Sequence, residues 1–178
     1  MDIHQLQVSY EPTQDRLLLQ VRTRDAHLIA IWLTRRMVMR MWPHFRRMLT
    51  SLSVQAAAPG AMAVPEAQDM LAQAARAKAL KTADFKTPFS RDPVQRPLGP
   101  EPMLPLTAKL RASPKGVLVL SLTDAQDRTM ELRFGDTMAH GLNRLVEQAL
   151  QRAEWGLSNA DPAPAAAPDA SSPAPVLN

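Results

Sequence analysis

Leu17-Leu18-Leu19-Gln20-Val21 and Leu118-Val119-Leu120-Ser121-Leu122 are the two stretches on which the fold turns. They stand 101 residues apart, and sliding the chain on itself by that amount superposes its two ends without a gap. Ile29, Ile31 and Leu33 then fall on Met130, Leu132 and Phe134, and Phe45 and Leu49 fall on Val146 and Leu150. The agreement is one of pattern, with few identities. Three strands and a helix coming into phase together point to one βββα unit used twice.

Working outward from Leu17, residues 16–23 alternate, with Leu17, Leu19 and Val21 on one face and Arg16, Gln20 and Arg22 on the other. Alternation of period two is the mark of a half-buried strand. Residues 3–10 do the same through Leu6, Val8 and Tyr10, and residues 27–33 through Ile29, Ile31 and Leu33. Glu11-Pro12-Thr13-Gln14-Asp15 and Arg24-Asp25-Ala26 supply the turns, since Pro presets φ and Asp bonds its own backbone. Thr34 fits a helix N-cap. Met37, Val38, Met41, Trp42, Phe45, Met48, Leu49 and Leu52 then recur at helical spacing, which predicts a helix over 35–52. Pro43 inside it predicts a kink, or a turn before a second helical piece, because a mid-helix Pro loses a hydrogen bond.

The second unit repeats this with strands over 104–112, 116–123 and 127–134 and a helix over 136–154, capped by Asp136 or Thr137. Ser113-Pro114-Lys115-Gly116 reads as a hairpin turn. The expectation is an α+β fold: two βββα units in a pseudo-two-fold internal repeat with antiparallel sheets. Residues 1–53 form the first unit and 104–155 the second. Between them, 54–103 is a Pro/Ala-rich insert, with a helix over 65–81 whose apolar face is Met70, Leu71, Ala74, Ala77 and Leu80. Its 82–103 part carries Pro88, Pro93, Pro97, Pro100 and Pro102 and reads as irregular. Residues 156–178, rich in Pro, Ala, Ser and Asp, read as a disordered tail. One such unit buries too little surface to fold well alone, so two must share a core.

The 178 residues contain no cysteine, so disulfides, thiolate metal sites and a Cys nucleophile are excluded. The N-terminus carries no signal-peptide pattern, and no apolar run reaches the length of a membrane span. A cytoplasmic location and no membrane partner are therefore expected. The net charge is +4, and its distribution is uneven. Residues 34–52 hold Arg35, Arg36, Arg40, Arg46 and Arg47 and no acid, whereas 135–153 mix Arg144 and Arg152 with Asp136 and Glu147.

Catalytic signatures are missing. His4, His27, His44 and His140 make no metal-helix spacing and read as surface or boundary residues. No phosphate loop, dinucleotide fingerprint or nucleophile elbow occurs. Asp124 and Asp127 share a turn, where Asp serves the backbone. No enzyme activity, metal, cofactor or small-molecule substrate is expected. Met37, Met41 and Met48 form a stripe that suits a core, and that also dresses adaptable grooves.

Two binding surfaces remain. On the non-core strand face, Leu18 and Trp32 accompany Arg16 and Arg22, with Arg35, Arg36 and Arg40 on the following helix. That face suits a protein partner or self-association. It also suits single-stranded nucleic acid, whose bases would stack on Trp32 while the arginines hold phosphate. In element order the units resemble the Whirly and PUR single-strand-binding folds, with three strands per unit where those have four. In the insert, Phe85 and Phe89 are large apolar residues in an otherwise polar, Pro-rich stretch, which suits anchors that dock on the protein's own body or on a partner; 82–103 thus reads as a linear interaction segment or as a plain linker. The function expected is non-enzymatic: protein–protein interaction or assembly, with nucleic-acid binding as the alternative.

Overall fold

The computed structural model describes residues 2–57, 65–90, 95–113 and 115–156. Its elements run β1 (Ile3–Glu11), β2 (Arg16–Thr23), β3 (Leu28–Thr34), α1 (Arg35–Ala57), α2 (Pro65–Thr82), β4 (Pro105–Ala112), β5 (Leu118–Asp124), β6 (Thr129–Phe134) and α3 (Asp136–Ala153). Two antiparallel three-stranded sheets result, ordered β1-β2-β3 and β4-β5-β6.

The sheets share a register. Leu17 pairs with Leu33 and Leu19 with Ile31; 101 residues on, Leu118 pairs with Phe134 and Leu120 with Leu132. The first strands differ by 102, since Leu6 pairs with Val21 and Ala108 with Leu122. The gapless slide thus fails at one place, because the β4–β5 hairpin is one residue shorter than the β1–β2 hairpin. The two hairpins of each half also use left-handed backbone at matching places, Asp15 (φ 48°) with Gly116 (φ 72°) and Ala26 (φ 56°) with Asp127 (φ 58°). These φ values end the pairing, which is why β5 and β6 begin two residues later than the alternation alone suggests.

The inner faces of both sheets and one face each of α1 and α3 form a single hydrophobic cluster. Leu17, Val21, Ile29, Ile31, Phe45, Leu122, Leu132, Phe134 and Val146 are completely inaccessible. Phe45 stacks on Trp42 at 4.5 Å between ring centroids and meets Phe134 edge-on at 6.5 Å. The helix that ends each half packs on the first strand of the other half, α1 on β4 and α3 on β1, while α2 lies across α1 and α3. At the end of α3 the Trp155 Nε1–H donates to Asp15 Oδ1 at 2.6 Å, and Tyr10 lies edge-on to the Trp155 ring. That indole donor is the main cause holding the Asp15 carboxyl below its usual range.

Several local expectations are corrected. α1 runs through Pro43 as one helix and continues to Ala57, so the end expected at 52 and the alternative of a turn before a second helical piece are both corrected. Met41, Trp42 and Phe45 are buried on either side of the proline, and their packing offsets the cost of the lost hydrogen bond. Thr34 does cap α1, its Oγ1 accepting the Met37 N–H at 3.2 Å. The N-cap of α3 is Gly135, with no side-chain cap bond, in place of Asp136 or Thr137. In α2 the expected apolar face is split: Met70 is 74% exposed and Ala74 and Ala77 are exposed, whereas Leu71 and Leu80 are half-buried. The packed side is Leu71, Ala72, Ala75, Arg76 and Ala79. The bidentate pair from Arg76 to Glu147 of α3, at 3.2 and 2.6 Å, fixes that phase.

The Pro-rich stretch is docked where it is described. Gln95 and Met103 bridge the outer edge of β3, exchanging backbone hydrogen bonds with Ala26, Leu28, Ala30 and Trp32. That cover shields an otherwise open sheet edge. The tail expected at 156–178 lies outside the described residues from 157 onward. No described helix is long and apolar enough to cross a membrane.

Candidate functional site

The register keeps Arg16, Leu18 and Trp32 as neighbours on one face of β2 and β3 and sets Arg22 apart from them. Trp32 is half-buried and faces Leu18 across the ladder, while Arg16 pairs with Thr34 and Arg22 with Leu28. Arg22 therefore sits at the far end of β2 from Arg16. Its Nη1 donates to the Ser90 carbonyl and hydroxyl at 3.0 and 2.9 Å. Arg35 stands near the Tyr10–Asp15 pair, where its charge acts on both groups.

Arg36 and Arg40 go elsewhere, to a groove of ≈ 860 Å³ between α1 and β4. One wall is the α1 stripe of Arg36, Arg40 and His44, with Met37, Met41 and Met48 beneath. The other wall is Leu104 to Ala108 and Leu110. Both readings of the Met stripe meet here: Met41 is 7% exposed in the core, and Met37 and Met48 are half-buried against it and line the groove. Leu106 is 66% exposed, an apolar side chain at the lip of a cationic cleft. No acidic side chain lines the groove, and among the described residues Arg36 and Arg40 have no ion-pair partner. Arg47 Nη2 donates to His44 Nδ1 at 2.8 Å. Arg35 and Arg36 occupy the first turn of α1, which contains no acid. A cation there opposes the positive pole of the helix dipole, at about 0.3–1 kcal/mol.

The insert phenylalanines lie in a second groove, of ≈ 690 Å³, between β1 and α3. Phe85 packs over Gly141, its ring tip 4.0 Å from where a Cβ would stand, and the Arg144 guanidinium sits 4.6 Å above its ring. Phe89 is half-buried in the same groove. Asp84 braces the approach: its Oδ1 accepts the Lys86 and Thr87 N–H groups, and its Oδ2 accepts the Thr87 hydroxyl. The Thr87 hydroxyl is the leading cause that holds Asp84 below the ordinary carboxylate range. Farther along, the Gln5 side chain donates to the Pro88 carbonyl at 3.2 Å and accepts the Ser90 N–H at 3.1 Å.

One polar cluster escaped the sequence reading. His140, expected at the surface or at a boundary, is 5% exposed, with Ser53 Oγ 3.0 Å and Asp136 Oδ1 3.5 Å from its Nε2. The Asp136/His140 spacing of one helical turn was the available signal. Both partners approach the same nitrogen, so Asp136 cannot orient the ring through Nδ1 as a serine-protease-type relay requires. Burial is the main cause lowering the His140 pKa; Asp136 works against it and Arg76 with it. Asp124 is the carboxylate of a tight turn, its Oδ1 accepting the Gln126 and Arg128 N–H groups and its Oδ2 the Arg128 Nε–H. Burial pushes its pKa up, and these donors outweigh that to hold it low. Among the described residues no group of three or more His, Asp or Glu side chains could hold a metal ion.

No family model, curated protein or solved structure matches this chain.

Proposed function

We propose that the chain is a non-enzymatic protein–protein interaction or assembly module whose partner surface is the α1–β4 groove. The observation that carries this reading is the makeup of that groove: exposed Leu104 and Leu106 and a Met floor beside two arginines that have no counter-ion among the described residues. An apolar patch rimmed by unpaired charge is the usual dress of a binding surface. The reading takes the protein as cytoplasmic. It also takes the two halves as a pseudo-two-fold repeat of one βββα unit, which the shared register and matching turn φ values support, with 54–103 as the insert.

The single-stranded nucleic-acid reading has weaker support. Its strand face loses Arg22, whose guanidinium is engaged by Ser90, and Trp32 is half-buried beside Leu18. A photo-crosslinking residue placed at Leu106, against one at the equally accessible Met70 on α2, tests the proposal in the producing cell. Protein adducts that form at Leu106 and are absent at Met70 are the expected result. Equal or absent adducts at both would remove the groove as the partner surface.

A further inference from the structure

The two grooves occupy equivalent places. Arg36, Met37, Arg40 and His44 line the first from α1; Thr137, Met138, Gly141 and Leu145, each 101 residues on, line the second from α3. The strand walls correspond as well: Leu106, Ala108 and Leu110 of β4 stand 102 residues after His4, Leu6 and Val8 of β1. The second groove carries a stretch of the chain itself, Thr82–Phe89, with Phe85 seated over Gly141 and the backbone at Pro88 and Ser90 read by Gln5. The architecture thus displays its own mode of occupation: a non-helical segment laid between a helix and the first strand of the other half, anchored by an aromatic ring.

The first groove differs from its counterpart mainly in charge. Arg40 stands where the second has Gly141, Arg36 where it has Thr137, and His44 where it has Leu145. The apolar floor is kept, with Met37 facing the position of Met138. Among the described residues, no segment other than the two walls lines it. Resting on the interaction reading above, we propose that the α1–β4 groove binds an extended acidic segment of a partner protein. A large apolar side chain of that segment seats against Met37, Met48 and Leu106, and its carboxylates pair with Arg36 and Arg40. Arginine suits this role because its planar fork takes a carboxylate in bidentate fashion.

The probe is a fluorescein-labelled peptide of this chain's own Thr82–Ser90 sequence, made acidic by Ala83→Glu, Lys86→Glu and Thr87→Glu. The unaltered peptide is its neutral comparator, since Asp84 and Lys86 cancel. Anisotropy titration against the full-length protein should show the acidic probe binding more tightly than the neutral one, with an affinity that falls as salt rises. Arg36→Glu with Arg40→Glu should weaken the acidic probe about tenfold or more. Both arginines are exposed, so an unchanged thermal melt serves as the folding control. Phe85→Ser in the acidic probe should also cost affinity.

Equal binding of both peptides, lost together in Leu106→Asp, would overturn the acidic chemistry and leave the groove as a docking site. Absence of binding by either peptide would overturn this inference, and the Leu106 crosslinking result would still decide the broader reading. Displacement of the probe by a free peptide of residues 157–178 would assign the groove to the chain's own tail and overturn a partner in trans. Arginine-dependent binding of an oligothymidylate without binding of the acidic peptide would replace the proposal with nucleic-acid recognition.

Discussion

Ser53 Oγ and His140 Nε2 lie 3.0 Å apart, joining α1 to α3 in a buried seam across 87 residues of sequence. Arg76, Glu147 and Asn143 continue that polar seam under α2. A buried imidazole is a stability statement in pH.

Burial lowers the His140 pKa below 6.5 in the folded chain, with Asp136 opposing and Arg76 reinforcing the shift. The unfolded chain therefore binds more protons as pH falls through 6.5. The stability contributed by the neutral ring is complete above that pH and is lost on descent. Thermal melts should show the midpoint falling as pH is lowered from 7 toward 5. His140→Gln should flatten this part of the curve. The turn carboxylates Asp124 and Asp84, both held low, lose their contributions in a separate window, below 3.8.

Pro43 lies inside α1 with no backbone N–H to donate. Pro43→Ala restores that donor, and the packed neighbours Met41, Trp42 and Phe45 already hold the helix through this point. The substitution should stabilise the protein by about 1–3 kcal/mol in urea denaturation. A loss of stability would mean that the proline sets a helix direction that the core requires.

Phe85 and Arg144 should couple. The guanidinium lies 4.6 Å from the ring centroid, and exposed pairs of this kind contribute about 0.5–1 kcal/mol. A double-mutant cycle with Phe85→Ala and Arg144→Ala should recover a coupling of about that size. Phe85→Ala should also speed amide exchange over 83–90 while leaving β1 and β2 protected.

Neither half should fold alone. α1 packs on β4 and α3 on β1, so separating the halves strips each helix of its strand partner. Peptides spanning 1–57 and 95–156 should each give collapsed amide spectra, and mixing them should restore dispersion. A dispersed spectrum from either alone would show that its own three strands and helix suffice.

What the sequence determined by itself was local and periodic. The alternating runs around Leu17 and Leu118 and the apolar stripes of 35–52 and 136–154 placed the six described strands and the helices α1 and α3, because burial on one face imposes a period of two or 3.6 whatever the partner is. The arginine-rich, acid-free character of α1 was legible for the same reason. Phe85 and Phe89 also stood out from composition, as anchors without a place.

Only the tertiary structure decided where those faces meet. The phase of α2 was misread because alanine surrounds the helix and leaves little contrast; the Arg76–Glu147 pair, between residues 71 apart, sets it. The exchange of helices between halves, the seat of Phe85 over Gly141 and the burial of His140 beside Ser53 have no periodic signature. Each rests on contacts between positions distant in sequence. Strand and helix periods specify which side of an element is buried, while the identity of the surface that buries it is fixed by packing the whole chain at once.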